Sequence, residues 1–297
     1  MAIRPPAVAG LFYPAQASRL RADVDALLDA AVGPALPPKA LIAPHAGYIY
    51  SGSTAACAYA SLRSRQGEIA HVVLLGPCHR VSLPGIALPK ATRFATPLGE
   101  TPVWAEGAAR AARLPAVVTS AEAHAEEHSL EVQLPFIQRV LGAVDVLPLA
   151  VGWADASLVA AVLASVWGGA ETVVIVSSDL SHYLPYADAR RRDGETIRQI
   201  LALAGPLAFD QACGAAPVNG LLLAGSAHGL RPRLFKACNS GDTAGDKNRV
   251  VGYAAIGFYN GPDSENNGNG LNDASTDNHD FANWGGLDDN DSHDNAV

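Results

Sequence analysis

The feature that most constrains this chain is a set of short apolar runs, rich in β-branched residues, that have no polar face. They lie at Ala40–Ala43, Val72–Leu75, Val144–Val151, Thr172–Val176, Leu234–Ala237 and Val250–Phe258. A strand wetted on one side alternates apolar and polar residues. One that is apolar on both sides has to be covered on both, as in parallel sheets sandwiched by helices. Helical patterns separate the runs, at Ser18–Ala31, Ser53–Leu62, Ala105–Ala112, Ser129–Leu141, Ala156–Trp167, Ala187–Leu203 and Pro217–His228. The first opens with Ser18 as cap and sets Leu20, Val24, Leu27 and Leu28 on one face. The expected fold is α/β: a single domain with a mostly parallel sheet and helices on both faces.

Composition limits the domain to residues 1–260. Of the 297 residues 49% are apolar and 17% charged, enough for a full core. The formal net charge of −8 is local, because residues 261–297 hold nine acidic residues and no Lys or Arg. Residues 1–260 hold 20 acidic against 21 basic residues, so nothing argues for a nucleic-acid or membrane partner. The last 37 residues, rich in Asn, Asp and Gly, read as a disordered tail. A calcium loop starting at Asp263 would place Gly268 correctly, but Ala274 stands where the bidentate Glu belongs. Four scattered cysteines make no disulfide framework, and the start MAIRPPAVAGLFYP lacks a signal-peptide core. No run approaches the ~18 apolar residues of a membrane span. The expected setting is the cytoplasm, with reduced thiols.

In open α/β sheets ligands bind beyond the carboxyl ends of the strands. Three runs are followed there by histidine-bearing segments: Pro44-His45-Ala46-Gly47-Tyr48, Gly76-Pro77-Cys78-His79 and Ser177-Ser178-Asp179-Leu180-Ser181-His182. Gly47, Gly52 and Gly76 suit tight turns that let backbone approach a ligand. Neutral imidazole is the commonest protein metal ligand, and two His with one anionic ligand leave positions open. Asp179 and His182 fit either outer support of such a site or acid/base work. Cys213 precedes a helix whose Pro217 suits the first position, so the helix N-terminus is expected to lower its pKa. Its other reading is a small buried hydrophobe. Cys78 is the second thiol candidate; Cys57 and Cys238 read as core.

His124-Ala125-Glu126-Glu127-His128 matches H-x-x-E-H, a zinc-peptidase pattern that needs both histidines on one helix. A helix capped at Ser129 would leave His124 in the preceding loop. His128 and Glu131 then line the strand-end pocket or hold its loops. Walker A, G-x-S-x-G and G-x-G-x-x-G signals are missing at the places where they would carry meaning.

Several long segments, in order, resemble the Memo family, whose prokaryotic members are often labelled protein B of the AmmeMemoRadiSam system. They are RPPAVAGLFYP (4–14), APHAGYIYSG (43–52), LGPCHR (75–80), EEHSLEVQLPF (126–136), IVSSDLSH (175–182) and SGDTAGDKNRVVGYAA (240–255). The resemblance implies a fold like that of the class III extradiol dioxygenases, non-haem iron enzymes. It implies His45, His79 and Cys213 as metal ligands, with Asp179, His182 and His128 beside them and His182 at the place of the catalytic base. Fe(II) is the metal implied first, with Cu or Zn as alternatives, since thiolate is a soft ligand. The implied activity is redox or oxygen-dependent chemistry on a small molecule or peptide, in partnership with radical-SAM and Amme-type proteins. A metal-independent peptide-binding module is the alternative. The chain departs from some family members in having Gln133 and Ala216 where those carry histidine.

Overall fold

The computed structural model describes residues 2–261 apart from Ala35; the acidic tail and its calcium-loop pattern lie outside the described residues. Strands Ala40–Ala43, Thr172–Ser177, His71–Pro77 and Asp145–Val151 lie side by side in that order, all parallel. Their residues alternate between two cores. Leu41, Val72, Leu74, Val146, Val173 and Ile175 face one side. Ile42, Val73, Leu75, Leu147, Val174 and Val176 face the other. With both faces buried, the uninterrupted apolar runs are what this placement requires.

The parallel arrangement holds only at the centre. Val250–Tyr259 runs antiparallel to Ala40–Ala43, and Arg231–Asn239 pairs antiparallel along its outer edge. On the far side Ile86–Leu88 runs antiparallel to Asp145–Val151 and carries Val117–Thr119 parallel to itself. The sheet is therefore mixed. The physical reason lies in the connections: only a loop with one 3₁₀ turn, Ser240–Asp242, links the last two strands, and without a crossover helix they pair as a hairpin. A separate three-stranded sheet holds Ile3–Arg4, Arg93–Thr96 and Gly99–Pro102.

Helices Ala17–Ala30, Tyr48–Ala60 and Leu134–Val140 cover one face. Ala105–Ala111, Ala156–Val166, Tyr186–Leu201 and Ala215–Ala227 cover the other. Leu20, Val24 and Leu28 form the buried stripe of the first helix, but Gln16, not Ser18, sits at its N-cap. The second helix starts earlier than expected because the Phe12 carbonyl accepts the Tyr48 N–H, satisfying one orphan donor of the first turn. The expected helix 129–141 is broken into His128–Glu131 and Leu134–Val140. Pro135 lacks an N–H and would clash with the carbonyl one turn earlier in a continuous helix, so it falls in the first turn of the second piece. The cap of the first piece is Glu127, whose carboxylate accepts the Ser129 N–H, rather than Ser129 itself. No helix among the described residues is long and apolar enough to cross a membrane.

Lys39, just before the first central strand, ties the far edge of the sheet. Its ammonium donates to the carbonyls of Trp167 at 2.7 Å, Thr172 at 2.8 Å and Gly169 at 2.9 Å. Burial lowers its pKa to about 8, so it remains mostly charged at neutral pH. Lys39→Met leaves these carbonyls without their donor. Urea unfolding should show a loss of about 1–3 kcal/mol, the usual worth of hydrogen bonds from a charged, partly buried donor.

Candidate metal centre

Because the parallel strands end in register, the segments that follow them converge. Ala43 lies opposite Ser177, and the flanking strand ends at Pro77. His45, Asp179 and His79 each stand two residues beyond these ends. His128 joins them from the first turn of its short helix. Gly76 permits this approach: a Cβ there would lie 2.6 Å from Ser129 Oγ. Gly76 thus acts inside a strand and Gly52 inside a helix, while Gly47 is a helix N-cap; none of the three sits in the tight turn expected of it.

The three imidazoles His45, His79 and His128 each place one nitrogen within 4.8 Å of the others. The His79 and His128 rings stack at 4.7 Å, and His45 meets them edge-on at 5.3 and 5.4 Å. Cys213 Sγ lies 3.3 Å from His45 Nε2, well inside contact range. The thiol also accepts the Asp179 N–H at 3.4 Å. Gly214 allows this loop to sit against the Ser177–Ser178 turn, where a Cβ would meet Ser178 Cβ at 2.6 Å.

The outer contacts hold the rings. His79 faces Glu127 twice, through its Nδ1 at 2.9 Å from Oε1 and its backbone N–H at 2.6 Å from Oε2. Burial alone would raise the Glu127 pKa, but bonds from His79 and from the Ser129 N–H overcome it and hold the carboxyl at about 2. A carboxylate on Nδ1 makes Nδ1 the protonated nitrogen and leaves Nε2 with its lone pair, the usual support of a metal-binding histidine. His45 Nδ1 lies 2.9 Å from Ser177 Oγ, and its backbone N–H donates to Asp179 Oδ1 at 2.8 Å. Phe12 packs on His128 at 4.8 Å. Arg4, Tyr13 OH and the N–H groups of Ala7 and Val8 all converge on buried Glu131, which pins the segment carrying Phe12. Glu131 therefore holds the loops of the pocket without lining it.

Electrostatics keep His45 and His128 neutral. Burial, then the neighbouring His79, lowers the His45 pKa to about 3; burial, then His45, lowers that of His128 to about 4. Burial raises the Asp179 pKa. The Cys213 thiol is pushed up by burial and then by the Asp179 carboxylate, so the lowering expected from the helix N-terminus is overturned. The donor set still fits a transition metal. It comprises imidazoles and a thiol, and His128 Nδ1 is buried without a hydrogen-bond partner. A bound cation reverses the local pKa logic and deprotonates a coordinating thiol.

His182 lines the same cleft, outside the three-ring cluster. Its Nδ1 donates to the Leu180 carbonyl at 2.9 Å, which leaves Nε2 bare, and its ring packs on Tyr183 at 5.7 Å. Leu180 is thus what orients this ring, while the Asp179 carboxylate serves the His45 backbone. The cleft holds about 1280 Å³ and is also lined by Tyr50, Phe209, Arg80 and Arg249. Cys78 turns its thiol to the Val81 carbonyl, and Cys57 and Cys238 are buried.

The zinc-peptidase pattern does not form a site. His124 lies in a separate helix, Ala121–Ala125, and is bound through Nε2 to the Ala87 carbonyl at 2.9 Å. Glu127, the required base, is spent on His79 and Ser129. Burial lowers the His124 pKa to about 4, against about 6.5 for an exposed histidine. Below pH 6.5 the unfolded chain takes up a proton that the folded chain refuses, so stability falls as pH drops from 6.5 to 4. Compared with wild type, His124→Gln should flatten the pH dependence of urea unfolding across this window by up to ~1.4 kcal/mol per pH unit.

The carboxyl edge of the α/β sheet thus gathers three imidazoles and a thiol, a group of side chains that could hold a metal ion. A family model for Memo-like proteins matches residues 4–257. The chain is 36% identical over 282 residues to a MEMO1 family protein of Methanopyrus kandleri, spanning 87% of this chain and 99% of that protein. It is 37% identical over 273 residues to one of Methanosarcina acetivorans, spanning 86% and 99%. The chain belongs to the Memo family.

Sequence reasoning missed Ser177 and Gln133 as supports of the site, and used Glu127 only in the peptidase pattern. The adjacency of Glu127 to His128 was an available signal. Nothing in the sequence marks Ser177, which acts only through a contact across 132 residues.

Proposed function

We propose that this protein is a metalloprotein with extradiol dioxygenase-like chemistry, binding Fe(II), or else Cu or Zn, through His45 and His79 with Cys213 and His128 completing the site. The observation that carries this is the cluster itself: three imidazoles with mutually close nitrogens, one beside a thiol. The bound ion would supply Lewis-acid and redox chemistry toward an oxygen-bearing substrate. The protein's own part is to hold the rings, through Glu127 and Ser177, and to offer His182 Nε2 as a proton acceptor on the cleft wall. The family resemblance supports a place beside radical-SAM and Amme-type proteins. It and the four free cysteines support a cytoplasmic setting.

The test is anaerobic purification, chelation, and reloading with Fe(II), Cu(I) or Zn(II) in turn, followed by metal analysis of wild type and Cys213→Ala. One tightly held equivalent in wild type and a weaker one in the variant support the site. Equal retention in both removes Cys213 from it, and no retention in either removes the metal reading.

The size of the cleft favours a second reading, a peptide-binding module. Tyr183 at its wall has φ 60°, rare for a non-glycine residue, and its exposed ring packs against Arg249 at 5.0 Å. Peptide capture that is indifferent to chelator and to His182→Ala would favour it.

A further inference from the structure

We propose that Ser177, with Gln133 filling the other lone pair of its hydroxyl, is a positioning residue that locks His45 as its Nδ1–H tautomer, so that a bare Nε2 faces the cluster. The argument starts from two atoms that have no proton to give. The Pro44 carbonyl lies 2.9 Å from the side-chain amide of Gln133. Only Nε2 can satisfy a carbonyl, so the amide orientation is forced, and its oxygen accepts from Tyr59 OH at 2.8 Å. The second Nε2 hydrogen then points to Ser177 Oγ at 2.8 Å and occupies one of its lone pairs. The Ser129 carbonyl is the second protonless atom, 2.6 Å from Ser177 Oγ. The single hydroxyl proton of Ser177 goes there. What remains on Ser177 is one lone pair, and the remaining neighbour is His45 Nδ1 at 2.9 Å. That nitrogen has to be the donor, which leaves Nε2 bare.

Burial makes the lock strict. Gln133, Ser177, Ser129 and Tyr59 are all 0% exposed, and His45 is 2% exposed, so solvent does not stand in for a lost partner. The opposite tautomer would set two lone pairs against each other or strip the Ser129 carbonyl of its donor. The bare Nε2 meets the Cys213 sulfur at 3.3 Å, so the thiol proton points at it in the metal-free chain. The carboxylate of Glu127 sets the same tautomer for His79 by charge; for His45 a neutral relay does so by hydrogen-bond count alone.

The lock is a property of the metal-free protein. Its consequence for affinity rests on the proposed metal site, and the two are separable by experiment. Long-range ¹⁵N–¹H correlation spectra of the chelated full chain read ring tautomers directly, with His45→Gln assigning the signals. The expected result is protonated Nδ1 and bare Nε2 for His45. A bare Nδ1 in wild type overturns the proposal whatever the metal does. Ser177→Ala should shift His45 toward the Nε2–H form. It should also weaken Fe(II) or Zn(II) binding by 10–100-fold, the usual loss on removing an outer hydrogen bond from a ligand. Gln133→Met frees one Ser177 lone pair but leaves the hydroxyl proton on the Ser129 carbonyl, so it should keep the Nδ1–H form; Ser177→Gly repeats the test if Ser177→Ala does not fold. Glu127→Gln acts on His79 and should leave the His45 tautomer unchanged. If Ser177→Ala, or Ser177→Gly in its place, folds with the His45 signals unmoved, the Ser177 hydroxyl does not set the tautomer.

Discussion

His45→Ala should bind a transition metal roughly 10²–10³-fold more weakly than wild type. Structural zinc sites bind with about 10–16 kcal/mol over four ligands, so each ligand carries ~3–4 kcal/mol, and 1.4 kcal/mol is a factor of ten. His45 is the residue for this test because it touches every other part of the site. Its ring meets His79 and His128, its Nε2 meets Cys213, and its backbone N–H meets Asp179. Competition with a chromophoric chelator gives the affinity. Unchanged affinity in the folded variant would exclude His45 as a ligand. Run beside it, His128→Ala and Cys213→Ala separate the residues that complete the site: whichever loses a comparable factor is a ligand, and the other is a neighbour.

Glu131→Leu should be the most destabilising single change in the N-terminal half, by about 3–5 kcal/mol, because it leaves the Arg4 guanidinium buried and uncompensated. Glu131 is 0% and Arg4 5% exposed, so neither group recovers solvation in place. The effect is larger than that of a simple ion pair. Ala7 N–H, Val8 N–H and Tyr13 OH lose the same acceptor. For this reason Arg4→Met combined with Glu131→Leu should not restore wild-type stability, although apolar pairs often replace buried ion pairs without loss. Thermal unfolding reads the outcome as a fall of about 10 °C or more, at ~2–4 °C per kcal/mol for a domain of this size. Full stability in the double variant would show that the three neutral donors carry no weight. Phe12 lies one residue from Tyr13 and covers His128, so Glu131→Leu should also loosen the histidine cluster, linking a stability defect to the site.

The elements were legible where local physics is strong. Ala40–Ala43 is recovered with its bounds intact, and the other long runs differ by a few residues at their ends. The strand-end histidines were legible for the same reason: a buried parallel strand must exit at the carboxyl edge, and His45 and His79 follow such exits directly. Short strands such as Ile86–Leu88 and Val117–Thr119 were not, since three residues carry no period. The break before Leu134 was hidden because the apolar spacing of Leu130, Leu134 and Ile137 continues across it.

From residue order alone came the α/β class, the two-sided core, the helix–strand sequence and the edge on which the chemistry sits. These follow from periodicity and chain connectivity, which are local properties. Three things came only from tertiary structure. One is the antiparallel flanks, decided by which strands found free edges. Another is how near His128, placed by the sequence only beside the expected ligands, comes to His45 and His79, decided by how closely its helix approaches Gly76. The last is the protonation pattern of the site, which depends on burial and on partners as distant in the chain as Ser177 is from His45; a desolvated proton goes where the surrounding acceptors leave room for it.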